Sequence, residues 1–223
     1  MTDYLSLDIF NKQLQFIAKI LSLYTHEIKN HLAIINESIG LAGDYIDAGQ
    51  AKTDAGLEKI EILLKNIEKQ IKDSSVFTNF LNSFGHRMDK WESSFNINDA
   101  LNELIILFNK AAVKKQIEIV KQLDAQSGTI VISPSLLQFI VFSFLTDLLN
   151  NLEEKSSITL TTSSDSAAIT VSIAAEGVNK QEAIKNSKNE TACFLINSQG
   201  WKFIKNDSAC KYILIIPKAD SLK

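Results

Sequence analysis

Apolar residues fall at Leu14, Ile17, Leu21, Tyr24 and Ile28, then at Ile35, Ile39 and Ala42. The steps are mostly three and four, the spacing that lines side chains along one seam of a helix. His31 occupies the seam slot between Ile28 and Ile35. No proline or strong breaker precedes Gly40 and Gly43, so one helix is predicted from about residue 5 to residue 48. The polar, small stretch DAGQAKTDAG (47–56) predicts a turn. A second stripe follows at Leu57, Ile60, Leu64, Ile67 and Ile71. Two long helices with a short connection form an antiparallel hairpin, assigned to residues 1–84. One hairpin cannot cover both of its apolar faces, so a homodimer closing a four-helix bundle is expected.

The pattern changes after GHRMDKWESSFN (85–96), which reads as a polar linker. INDALNELIILFNKAAVKKQ (97–116) has the spacing of an amphipathic helix, with Asn98 as its candidate cap. IEIVKQL (117–123) and TIVIS (129–133) alternate as strands. LLQFIVFSFLTDLLNNL, beginning at Leu136, reads as a buried helix. SITLTTSSDSAAITVSIAAEG supplies two strands with a turn at Ser163–Ala167. A short helix near ETACFLINSQG (190–200) and strands at WKFI (201–204) and KYILIIP (211–217) complete the chain. The fold class is therefore α+β: a long helical hairpin, then a small α/β sandwich over 97–223 with helices on one face of a mixed sheet.

Composition narrows the partners. Hydrophobic residues make up 45% and charged residues 22%, the balance of an ordinary globular chain. The net charge is −3, Arg87 is the sole arginine, and no basic block stands out, which argues against nucleic acid. The stretch at 136–149 is too short for a membrane span and carries Gln138 and Asp147. No signal peptide is read at the N-terminus, so a cytoplasmic protein without a membrane partner is expected. Cys193 and Cys210 are far apart and show no metal spacing, so they read as free thiols.

Two of the three histidines lie within YTHEIKNHL (24–32). The metal reading of this stretch is weak. A zincin needs His-Glu-x-x-His on one helical face, and the fourth residue after His26 is Asn30. His31 is five residues on and rotated by about 140°. The seam phase instead puts His26 on the solvent face with Asn30 one turn away, and turns His31 inward as a core histidine. An exposed imidazole is a competent nucleophile when its second nitrogen is held. The adjacent Glu27 could orient the ring and take its proton. An amide one turn on, Asn30, could position an incoming oxygen or a water.

HEIKNHLAII (26–35) resembles the H-box of bacterial sensor histidine kinases, typically His-Glu-x-x-Asn-Pro-Leu. The resemblance implies that His26 is the phosphorylated residue, that Glu27 is the acid/base, and that Asn30 matches the position used in phosphatase chemistry. His31 stands where the family has a helix-bending proline, which implies a milder bend.

The second half resembles the ATP-binding domain of the same kinases without its active-site residues. SPSLLQFIVFSFLTDL (133–148) is similar to the family's Asp-Pro-x-x-Leu and Asn-Leu-Leu-x-Asn-Ala run. Pro134, Leu137, Phe144 and Leu145 keep that pattern, while the two asparagines become Ser143 and Asp147. Asp147 could still meet a cation. The family's Asp-x-Gly-x-Gly box is reduced to Ala174-Ala175-Glu176-Gly177-Val178, with Ala175 at the adenine-reading aspartate and no second glycine. The later phosphate-cradling glycine loop is missing. A Lys- and Asn-rich stretch from Asn179 to Asn189 stands where the lid would be, and Gly200 and Pro217 fit the last strands.

Scaffold without nucleotide chemistry resembles the dimeric histidine phosphotransferases of bacterial phosphorelays, the ChpT-like group. That implies phosphoryl exchange between His26 and receiver-domain aspartates, with no cofactor bound by the chain itself and Mg²⁺ carried by the receiver. Receiver domains of response regulators are the implied partners, with an upstream hybrid histidine kinase a further candidate. Three other readings compete: a non-catalytic module that binds receivers or kinases, a phosphatase using Asn30, and a weakly active kinase. The last conflicts with Ala175 and the absent glycines.

Overall fold

The structure is a computed structural model, and it describes residues 2–89, 91–177, 179–185 and 189–218. Helix α1 runs Thr2–Asp47 and α2 runs Asp54–Met88, joined through a short 3-10 turn at Gln50–Lys52. Thr53 caps α2, its side-chain oxygen accepting the Gly56 N–H at 3.1 Å. Gly56 must lack a side chain, because a Cβ would run into the Gln50 carbonyl. The hairpin is closed by mixed contacts. Tyr24 stacks on Phe77 with ring centroids 5.6 Å apart, and its hydroxyl lies 3.2 Å from Thr78 Oγ1.

The buried stripe of α1 is not the one its apolar spacing predicts. The buried positions are Phe16, Ile20, Glu27, His31 and Ser38, while Leu14, Leu21 and Ile39 stay about half exposed. The cause lies outside the hairpin. Helices α3 (Ile97–Lys114) and α4 (Pro134–Asn151) pack against α1 and α2 and draw a neighbouring face inward. Phe16 meets the rings of Phe84 and Phe139 edge-on at 5.6 and 5.7 Å, and Phe142 at 4.8 Å. One continuous apolar core therefore runs from the hairpin into the α/β layer.

The stretch 85–96, expected as a linker, is largely regular structure. Helix α2 continues to Met88, and Ser93–Asn96 forms strand β1, antiparallel to β3 (Thr129–Ile132). So short a strand buries only Phe95, which leaves too little alternation to read. The junction is held by Arg87, whose Nε and Nη2 donate to the two Glu103 carboxylate oxygens at 2.6 and 2.8 Å. The cap of α3 is Asn96 rather than Asn98. The Asn96 Oδ1 accepts the Asn98 N–H at 2.8 Å, and the Asn98 side chain instead ties the Asp124 carbonyl to Thr162.

The main sheet has the order β2-β4-β5-β7-β6. Strand β2 (Glu118–Leu123) is parallel to β4 (Ser157–Ser164). Strands β5 (Ala168–Glu176), β7 (Lys211–Pro217) and β6 (Lys202–Asn206) follow antiparallel. Alternate residues such as Ile158, Leu160, Val171, Ile173, Leu214 and Ile216 are buried under the helices. Helix α4 is apolar nearly all round because it touches the sheet, α3 and both hairpin helices. Two shorter helices, α5 (Lys180–Lys185) and α6 (Glu190–Ser198), complete the layer. Helix α5 falls in the stretch expected as a lid. Val178 and residues 186–188 of that neighbourhood lie outside the described residues. Among the described residues, no helix is long and apolar enough to cross a membrane.

Candidate functional site

The H-box residues separate into two groups. His26 and Asn30 are both exposed on the outer face of α1, one turn apart. The Asn30 side-chain amide lies 3.1 Å from His26 Nδ1. Amide oxygen and nitrogen exchange places by a half-turn. With the oxygen against an Nδ1–H, the neutral ring keeps the Nε2 lone pair free to attack. Among the described residues nothing is bonded to Nε2.

Glu27 does not join them. It is 6% exposed and turned away from the His26 ring. Its Oε1 accepts from Lys110 Nζ of α3 at 2.6 Å and lies 3.2 Å from His31 Nε2. His31 Nδ1 in turn lies 2.7 Å from Ser74 Oγ of α2. A neutral His31 satisfies this chain fully: Nε2–H donates to the carboxylate, and Nδ1 accepts from the serine hydroxyl. The ring-orienting role open to Glu27 from its place in the sequence is filled geometrically by Asn30. Lys110 and Ser74 carry no local sequence signal. Glu27 does carry one, because Ile20, Tyr24, Glu27 and His31 follow the four-three-four spacing of a seam.

His31 is 8% exposed, the satisfied core histidine that the helical phase predicts. His31→Ala should cost about 1–3 kcal/mol through a cavity and two lost partners. A urea melt checks this, and a loss below about 0.5 kcal/mol would contradict it.

The face of α4 that matches the nucleotide-binding run is occupied by the chain's own groups. Ser143 Oγ donates back to the Phe139 carbonyl at 2.8 Å. Asp147 Oδ2 accepts from Asn189 Nδ2 at 3.3 Å. Helix α1 covers this face with Phe16, and Lys12 Nζ donates to Thr191 Oγ1 at 2.6 Å. What remains is an open groove of about 360 Å³, lined in part by Lys12, Phe16, Ser143, Thr146 and Asp147. Ala175 is buried at 2% exposure, and Ile184 of α5 is fully buried. Helix α5 packs on both α4 and β5. Gly177 is held by packing: with φ +127°, an added Cβ would press on Ser156.

Among the described residues, no three His, Cys, Asp or Glu side chains group to hold a metal. Both cysteines are free, and burial pushes the Cys193 thiol pKa up.

No protein-family model and no curated protein sequence matches the chain. Solved structures do match its shape. The histidine kinase ThkA, solved in complex with the response regulator protein TrrA, aligns over 100% of this chain and 69% of its own at a TM-score of 0.50. The fold is histidine-kinase-like. The identity in that alignment is 16%. The isolated catalytic domain of ThkA aligns over 57% of this chain and 97% of its own, with 17% identity and a TM-score of 0.49. AdeS of Acinetobacter baumannii aligns over 86% and 96%, with 11% identity and a TM-score of 0.45.

Proposed function

We propose that the chain is a histidine phosphotransfer protein of a two-component phosphorelay, exchanging a phosphoryl group between His26 and receiver aspartates without ATP. The observation that carries this reading is an exposed His26 ring, held at Nδ1 by Asn30, on a kinase-like scaffold whose α4 face is partly covered by α1. In the forward step the Nε2 lone pair forms the P–N bond. The bond between phosphorus and the aspartyl oxygen breaks, and its electron pair returns to the carboxylate. With the Asn30 amide turned so that its oxygen faces Nδ1, the Nδ1 proton is shared with that oxygen and can leave to water. The receiver brings the Mg²⁺ that offsets charge on the transferring group. That ThkA was solved with a response regulator fits a receiver as the partner.

The test is incubation with receiver domains loaded by acetyl [³²P]phosphate. Acid-labile, base-stable label on the chain is expected. Stable binding without label would instead identify a non-catalytic module. Loss of receiver phosphate with no label on the chain would identify a phosphatase using Asn30.

Two further outcomes belong to this reading. ATP·Mg²⁺ should give no calorimetric signal at micromolar to millimolar concentration, because Ala175 offers no carboxylate and Phe16 of α1 lies over the matching face of α4. Micromolar binding would remove the ATP-independent reading. The chain should also be a homodimer through the hairpin. Leu7, Leu14 and Leu21, then Leu32, Ile39 and Ile46, repeat every seven residues on α1, and Leu57, Leu64 and Ile71 do so on α2. All nine are 47–56% exposed. Such ridges are what a coiled-coil partner covers. Light scattering should give twice the chain mass of 24.8 kDa. A stable monomer at micromolar concentration would contradict the bundle.

A further inference from the structure

We propose that Lys110, on the α/β body, is a positioning residue for phosphoryl transfer at His26, acting through Glu27. The inference rests on the phosphotransfer reading and adds to it a residue from the other half of the chain. Glu27 is the neighbour of His26 in sequence, and its carboxylate is nearly removed from water. Lys110 Nζ meets it at 2.6 Å, from a side chain that is 55% exposed. The same oxygen takes the His31 Nε2 contact at 3.2 Å, and His31 reaches Ser74 of α2. One carboxylate therefore gathers α1, α2 and α3 within one residue of the reacting histidine.

A phosphoryl group brings nearly two negative charges to His26. An unpaired Glu27 beside it would repel that group and would be free to swing toward solvent. Lys110 cancels the carboxylate charge at contact distance and holds the side chain inward, away from the outer face of α1. The lysine is itself well placed. Glu103, Leu107 and Lys110 share one face of α3 at four- and three-residue spacing, and Glu103 is clamped by Arg87 of α2. Among the described residues, the body thus meets the hairpin through two ion pairs, one of which ends next to His26. This gives the α/β domain a role at the transfer site that needs no nucleotide.

The experiment compares wild type, Lys110→Met, Lys110→Arg and Lys114→Met, an exposed charge control at the end of α3. Two donors are used: a receiver domain loaded by acetyl [³²P]phosphate, and [³²P]phosphoramidate, which needs no docking. Lys110→Met should lower kcat about tenfold with both donors, a barrier change of about 1.4 kcal/mol. KM for the receiver should stay within about twofold. Lys110→Arg should restore most of the rate, and Lys114→Met should match wild type. Wild-type kcat in Lys110→Met overturns the proposal. So does a defect confined to KM for the receiver, which would make Lys110 a docking contact, or a Lys110→Arg variant as slow as Lys110→Met. Absence of label on wild type from either donor overturns the phosphotransfer reading itself, and this proposal with it.

Discussion

His26→Ala should take up no phosphoryl group from any receiver and should melt with the wild-type protein. The ring is exposed and, among the described residues, bonded only to the exposed Asn30, so its removal opens no cavity and strands no buried partner. Alanine also favours the helix slightly over histidine. Stability should stay within about 0.5 kcal/mol. The chemical effect is of another order, because no second imidazole can replace the first. His31 is turned inward and committed to Glu27 and Ser74. His86 lies at the far end of α2, beside Asp89. The expected phenotype is a loss of label of at least about 10³-fold on a fully folded protein, a barrier rise of about 4 kcal/mol. Labelling kinetics and a thermal melt on the same preparation check it. Residual label above one part in a hundred would contradict it.

Arg87→Ala should be the most destabilising single change among the residues discussed. The guanidinium makes two parallel bonds to Glu103 at 2.6 and 2.8 Å, and its carbon sits 5.3 Å from the centre of the Phe95 ring. The hydrogen bond to Glu103 holds the Arg87 pKa above its ordinary value. The side chains are 18% and 8% exposed, so truncation leaves an ionised carboxylate buried without its partner. Breaking such a pair from one side costs about 3–5 kcal/mol. For a chain of this size that lowers Tm by about 10 °C. The paired substitution Arg87→Leu with Glu103→Leu should recover most of the loss, because no orphan charge remains. Denaturant melts of the three proteins test the scheme. A loss below about 1 kcal/mol for Arg87→Ala would show that the junction between hairpin and body is held by something else.

The features legible in the sequence were those with a period or a contrast. Three- and four-residue steps gave the hairpin, and the helical phase put His26 outside and His31 inside, as the exposures bear out. The turn between β4 and β5 and the buried nature of α4 were equally open to reading, since a polar turn and an apolar run each contrast with their flanks. What stayed hidden depends on partners distant in sequence. Glu27 is inward because Lys110 reaches it from α3, and nothing local to HEIKNHL encodes Lys110. Leu14 and Leu21 look like seam residues, yet Phe16 and Ile20 take the inside because α3 and α4 press on the hairpin. Strand β1 exists through its pairing with β3, and α5 is too short to display a repeat. At the candidate site, His26 and Asn30 were therefore readable as a pair, and the seam spacing pointed Glu27 inward, whereas its partner Lys110 was not readable.

The most direct measurement is the location of the phosphoryl group. Trypsin cuts after Lys19, Lys29 and Lys52, so His26 falls in the peptide 20–29 and His31 in the peptide 30–52. The protein is labelled from a phosphorylated receiver, with no ATP present, digested at alkaline pH and sequenced by mass spectrometry. A phosphoryl group confined to 20–29 and placed on His26 is the predicted result. A phosphoryl group on 30–52, or an unmodified chain after the receiver has been consumed, would contradict the account.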